Sequence, residues 1–210
     1  MNFQSLQIVV FVTVSISLMS CFGYDKEEYT RGMESYNEHD YMDLGLSVNW
    51  ASCNIKANNP GDCGEYSEWC KVLDVNGNAS NPYAYFTTKD AASYYWGGNW
   101  RMPTKEEFEE LLTNCTWKWT EYERSGQKGY KVTSNVPGYT DRSIFIPAGG
   151  WIHSGNLSNQ NSRGYYWSID RSSGNGNMIW GLFFSSKERN VDVSLNSEKQ
   201  LTRPVFPKSK

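Results

Sequence analysis

The chain is poor in the residues that build metal centres. It holds two histidines, His39 and His153, and no cysteine beyond Cys115. His39 borders a polar stretch and His153 lies in a polar loop, so both read as solvent-facing side chains. Neither a CxxC pair nor a His cluster is present, and a zinc site would need one of them. GxSxG, the strained turn that presents a nucleophilic serine, is also missing. Asp74-Val75-Asn76-Gly77-Asn78 imitates the start of a calcium loop, but the later ligand glutamate is absent and the segment reads as a turn. No metal, no cofactor and no enzymatic activity are expected. Charge of one sign is scarce as well. Twenty basic and 23 acidic residues are scattered to a net −3, without the Lys/Arg stripe that nucleic acid requires. The basic end, Arg203 to Lys210, reads as a solvated tail. No apolar run reaches the ~20 residues of a membrane-spanning helix, and there is no internal repeat.

Aromatic and turn-forming residues are abundant instead. Phe, Trp and Tyr make up 15% of the chain, with nine Trp and fourteen Tyr, beside frequent Gly, Ser and Asn. That mix favours strands and turns over long helices. A length of 210 residues fits one domain with extensions.

The first extension is a targeting segment. IVVFVTVSISLM, residues 8–19, has the length of a signal-peptide core. It ends in Leu18-Met19-Ser20-Cys21, similar to a bacterial lipobox with Cys21 as the lipidated residue, although Met19 is bulky and no Lys or Arg precedes the core. The other reading is an ordinary secretory signal. Residues 1–20 are thus expected to be a lipoprotein signal peptide and 21–38 a polar flexible tether. Asp25-Lys26-Glu27-Glu28 reads either as an acidic surface-export signal or as solvated linker. The folded domain is expected over 39–207.

Beyond Cys21 stand four cysteines, an even count that in an oxidising compartment points to two disulfides. Three pairings are open. Cys63 and Cys70 flank a short loop that closes at little entropic cost, which favours Cys63–Cys70 with Cys53–Cys115.

WRMPTKEEFEELLTNC, residues 100–115, packs four glutamates into five positions. Thr104 and Glu107 form a T-x-x-E capping box, and Glu106 and Glu107 fall where the helix dipole favours carboxylates. Phe108, Leu111, Leu112 and Cys115 make one apolar stripe. The cluster therefore reads as a helix start. A shorter helix is expected over 87–96. Alternation predicts strands in 41–55, 116–120, 129–132, 143–147, 178–184, 190–195 and 201–206, and 148–177 reads as a long run rich in Gly, Ser and Asn, broken by GYYWSI at 164–169. The fold class expected is α+β, a single C-type-lectin-like domain with two short helices, several short, mostly antiparallel strands and long loops.

The lectin-like part of that expectation comes from motifs. YMDLGLSVNWASCNIKA (41–57), YWGGNWRMPTKEEFEELLTNCTWKW (95–119), GYKVTS (129–134), SIFIPAGGW (143–151), GYYWSI (164–169) and RPVF (203–206) stand in one order. Together they resemble the Fibrobacter succinogenes major paralogous domain, a family of exported Bacteroidota lipoproteins, over about residues 39–206. The resemblance implies a C-type-lectin-like core related to the formylglycine-generating-enzyme fold. It also implies family cysteines at Cys53 and Cys115, with Cys63 and Cys70 replacing the usual Tyr and Gly, which reads as one added local bridge. Formylglycine chemistry would need a reactive cysteine pair late in the chain, and none follows Cys115. The sugar-binding calcium motifs E-P-N, Q-P-D and W-N-D are absent too.

These features lead to a non-enzymatic, surface-anchored lipoprotein that binds a glycan or protein ligand. The alternative is a structural or adhesion subunit of a cell-surface assembly. The location expected is the outer membrane, facing the exterior, with the periplasmic face as the alternative. Ligand contacts are expected in 151–180, whose Tyr, Trp, Ser, Asn, Gly and Arg resemble the make-up of adaptable binding loops. In lectin-like folds the late region carries those loops. Trp151, Asn159, Arg171, Asn175 and Asn177 are the candidates.

Overall fold

Local chemistry at mid-chain starts the fold. The Thr104 hydroxyl accepts the Glu107 amide at 3.2 Å and the Glu107 carboxylate accepts the Thr104 amide at 2.8 Å. This capping box satisfies two open donors of the following helix. A shorter helix upstream is capped by Asp90, whose carboxylate accepts from the Ala92 and Ser93 amides. In this computed structural model, which describes residues 31–69, 90–173 and 177–208, the helices are α1 (Ala91–Trp96) and α2 (Lys105–Asn114). None of the helices among the described residues is long and apolar enough to cross a membrane.

The strands are β1 (Met33–Tyr36), β2 (His39–Met42), β3 (Val48–Ala51), β4 (Ser67–Glu68), β5 (Cys115–Tyr122), β6 (Gln127–Ser134) and β7 (Ser143–Pro147). They continue as β8 (Trp151–His153), β9 (Asn156–Ser158), β10 (Arg163–Arg171), β11 (Met178–Ser185), β12 (Arg189–Leu195), β13 (Lys199–Gln200) and β14 (Val205–Pro207). Four antiparallel sheets result, in the orders β1-β2-β3-β14, β5-β6-β7, β10-β11-β12 and β4-β13-β8-β9. The main core gathers Trp50, Phe108, Leu111, Val132, Tyr166 and Leu182, so three of the sheets and α2 share one interior.

Arg203 joins these parts. It is fully buried, its Nη1 donating to the carbonyls of Ala51 at 3.0 Å and of Ser52, its Nη2 to that of Phe145 at 2.9 Å. It therefore connects the end of β3, the middle of β7 and the segment leading into β14. Burial lowers its pKa, and the Tyr166 hydroxyl lies beside it.

Three expectations are corrected. The fold is β-rich rather than a single α+β domain: strands hold 47% of the described residues and helices 10%. The Asn- and Ser-rich run read as long loops contains β8, β9 and the nine-residue β10. Ser154 and Gly155, at φ 48° and 81°, close a two-residue hairpin between β8 and β9. β9 is exposed along its whole length, so no buried face imposes an alternation that would have marked it as a strand.

The folded part also begins earlier than residue 39. β1 pairs with β2 from Met33↔Met42 to Tyr36↔His39, and Tyr36 stacks on Phe206 at 4.6 Å, so part of the expected tether belongs to the domain.

The third correction concerns the Cys53–Cys115 bridge, which is not formed: both are free thiols, as is Cys63. Cys53 lies toward the far end of β5: Tyr122, the last residue of that strand, is within electrostatic reach of its thiol. Cys115 opens that same strand, about 23 Å away at ~3.3 Å per residue, whereas a disulfide needs Cα atoms about 4.4–6.8 Å apart. Cys70 and the expected Cys63–Cys70 pair lie outside the described residues, as does the segment 1–30.

Arg203→Ala removes three donors from buried carbonyls and leaves a cavity. It is expected to cost about 3–5 kcal/mol, read as a lower midpoint in urea unfolding, with Arg203→Lys losing less; an unchanged midpoint for the Ala variant would refute the tie. Burial, then the nearby Glu110 charge, pushes the Cys115 pKa up to about 12. At pH 8 its thiolate fraction is on the order of 10⁻⁴, so iodoacetamide should spare Cys115 in the folded chain and label it in urea. A Cys53–Cys115 peptide in a non-reducing digest would contradict the placement.

Candidate ligand-binding site

The acidic cluster of 106–110 can be set aside first. Glu107 is held by the Thr104 amide and by Arg101, whose Nη1 and Nη2 donate to its two oxygens at 2.8 and 2.5 Å. Glu110 accepts the Ser47 amide at 3.0 Å, and Glu109 pairs with Lys105 at 3.4 Å. Glu107, Glu109 and Glu110 each have a structural partner and Glu106 is exposed, so they do not converge on a cleft. Nearby Asp170 accepts the Lys105 amide at 2.6 Å, and its pKa is raised, chiefly by burial. Among the described residues no three His, Cys, Asp or Glu side chains gather as a metal site.

The β10-β11-β12 sheet offers more. Its inner face packs Tyr166, Leu182 and Phe184 into the core. Among the described residues its outer face is covered at one end only, where Trp167 and Ile179 are buried with Trp69, Ala91 and Met102. At the other end Tyr165, Phe183 and Asn190 stand opposite one another across the three strands. Tyr165 meets Phe183 edge-on at 5.4 Å and 82°, and Trp151 from β8 stacks on Tyr165 at 5.2 Å and 20°. His153 extends the row, 5.5 Å from Trp151, with Nδ1 held by the buried Glu198 carboxylate at 2.9 Å. The Trp151 indole N–H is buried without a partner.

Beside this strip lies a cleft of about 240 Å³, lined by Tyr165, Phe183 and Phe184 with Arg163, Glu188, Asn190 and Asp192. Asp192 Oδ1 accepts the Val193 amide at 2.8 Å. Among the described residues the side chains of Arg163, Glu188 and Asn190 have no partner, so their polar atoms are open to a ligand. Gly164 faces the core instead: a Cβ there would lie 2.0 Å from Phe184 Cζ, so that ring packs beneath the sheet in the space a side chain would take.

Of the five residues expected from sequence, two join this strip. Trp151 is stacked in it, and Asn159 directs Nδ2 toward the Tyr165 hydroxyl at 3.4 Å. Asn159 adopts φ 62°, and its carbonyl accepts the Ser162 and Arg163 amides, which fixes the entry into β10. Arg171 sits at the opposite end of β10, about 20 Å from Tyr165 at ~3.3 Å per residue, its guanidinium 4.7 Å from the Trp69 ring. Asn177 is at that end too, its carbonyl accepting the Asn196 amide at 2.8 Å, and Asn175 lies outside the described residues. Arg163, Tyr165, Phe183, Glu188, Asn190 and Asp192 were not anticipated. Alternation in RNVDVSL could have placed Asn190 and Asp192 on one face, but their juxtaposition with Tyr165 depends on strand register. Compared with known proteins, the chain matches no family model, no curated protein and no solved structure, so what it does is argued from this geometry.

Proposed function

We propose that the chain is a non-enzymatic binding module, anchored in the outer membrane through lipid on Cys21, that recognises glycans at the strip Trp151–Tyr165–Phe183. The observation that carries this reading is the open end of the β10-β11-β12 sheet, where stacked aromatics border a cleft rimmed by unpartnered polar side chains. Aromatic faces cover the apolar C–H faces of a sugar ring, and polar groups at the rim meet its hydroxyls. Soluble proteins cover most aromatic surface, so a strip left open marks a binding site.

The position of the first described residues agrees with this reading. The described chain starts at Arg31, and Gly32 packs on the Arg142 side chain just before β7. Trp151 follows the other end of β7, a strand about 13 Å long at ~3.3 Å per residue. The site therefore lies about one strand length from the point where the described chain begins. The resemblance to lipid-anchored members of the major paralogous domain family supports the same arrangement.

Tyr165→Ala and Phe183→Ala are each expected to weaken glycan binding by tenfold or more on a glycan array and in calorimetry, while Arg171→Ala leaves it unchanged. Binding that ignores both aromatic variants would refute the site. Cys21→Ala is expected to move the protein from the membrane to the soluble fraction, and a variant still found on membranes would refute the anchor.

A further inference from the structure

Resting on the glycan-binding reading, we infer that the cleft beside Tyr165 and Phe183 seats one neutral pyranose residue and discriminates against acidic sugars. Size sets the first limit. A volume of about 240 Å³ falls below the roughly 300–1,000 Å³ of sites that engulf a drug-sized ligand. It admits one ring-sized group, and the remainder of a chain lies along Trp151 toward His153.

The lining selects what enters. Phe183 and Tyr165 offer apolar surface at the side of the cleft. Glu188, Asn190 and Asp192 supply acceptors at the spacing of alternate β12 residues, and Arg163 supplies donors from across the sheet. A pyranose matches this set, since its hydroxyls donate to carboxylates and its ring and glycosidic oxygens accept from guanidinium. A hydrophobic peptide anchor would need a dry apolar pocket, whereas this cleft is shallow and polar-rimmed.

Charge sets the second limit. Two carboxylates face one guanidinium at the rim, which leaves the cleft with a net charge of −1. All three are exposed, so salt screens the effect without abolishing it. A sialic acid, uronic acid or sulfate group placed there meets net repulsion, and like-charge contact excludes ligands more effectively than opposite charge recruits them.

The test uses the purified full-length chain in detergent, probed with neutral oligosaccharides and with their sialylated or sulfated counterparts. Neutral members are expected to bind at least tenfold more tightly at low ionic strength, the ratio shrinking in high salt. In the Glu188→Gln/Asp192→Asn double variant the ratio should fall below about threefold, and Phe183→Ala should weaken both classes. Acidic glycans bound as tightly as neutral ones, a ratio unmoved by the double variant, or displacement of neutral glycan by a lysine-rich peptide would each overturn the inference. If Tyr165→Ala and Phe183→Ala still abolish binding in those cases, the glycan-binding reading survives. Glycan binding that ignores Tyr165→Ala and Phe183→Ala removes both.

Discussion

A single buried cation organises the interior. Arg203 carries its charge into the core without a carboxylate partner among the described residues, and backbone carbonyls of Ala51, Ser52 and Phe145 take the place of one. Isolated charge in a low-dielectric interior is costly, so the site persists only while all three carbonyls stay aligned on the planar fork. Lysine could not reproduce that fork. The neighbouring Tyr166 hydroxyl donates to the Pro147 carbonyl at 2.6 Å and accepts from Asn54 Nδ2 at 3.3 Å. Three sheets thereby meet at one polar node: β3 and the approach to β14, β7, and β10.

That node determines what happens on the surface. Side chains alternate along a strand, so fixing Tyr166 inward fixes Tyr165 outward one residue earlier. Tyr165 then receives Trp151 on one side and Phe183 on the other. The same sheet closes its other end with Trp69, Trp167 and Ile179. Both ends are rich in aromatics, but Trp151, Tyr165 and Phe183 stay partly exposed whereas Trp69, Trp167 and Ile179 are buried. Position along the sheet, rather than residue type, separates core from candidate site.

Much of the local structure was legible. The Thr104–Glu107 box, the apolar stripe on α2 and the span of β7 follow from short-range rules that tertiary context did not override. The balance of the fold was misjudged where those rules have no grip. β9 is exposed throughout and β4 is two residues long, so neither carries an alternating pattern. Trp151 and Asn159, which join the candidate strip, were selected by composition, and Arg171 by the same criterion. Only the direction of β10 shows that the first two stand at one end of the strand and Arg171 at the other. Cysteine pairing failed for a related reason: a separation of one strand length cannot be read from positions 53 and 115.

The two most conspicuous polar features differ in how fully their groups are used. At α2 the Glu107, Glu109 and Glu110 carboxylates are engaged by the cap, by Arg101, by Ser47 and by Lys105. Their hydrogen-bonding capacity goes into positioning the helix that supports the β10-β11-β12 sheet from within. On the opposite face Arg163, Glu188 and Asn190 have that capacity unused, beside the partly exposed rings of Tyr165 and Phe183. An unpaired polar group in solvent costs the fold little and remains available to a ligand. The acidic run that dominates the sequence is therefore the support, and the sparser polar residues of β10 and β12 are the groups free to bind.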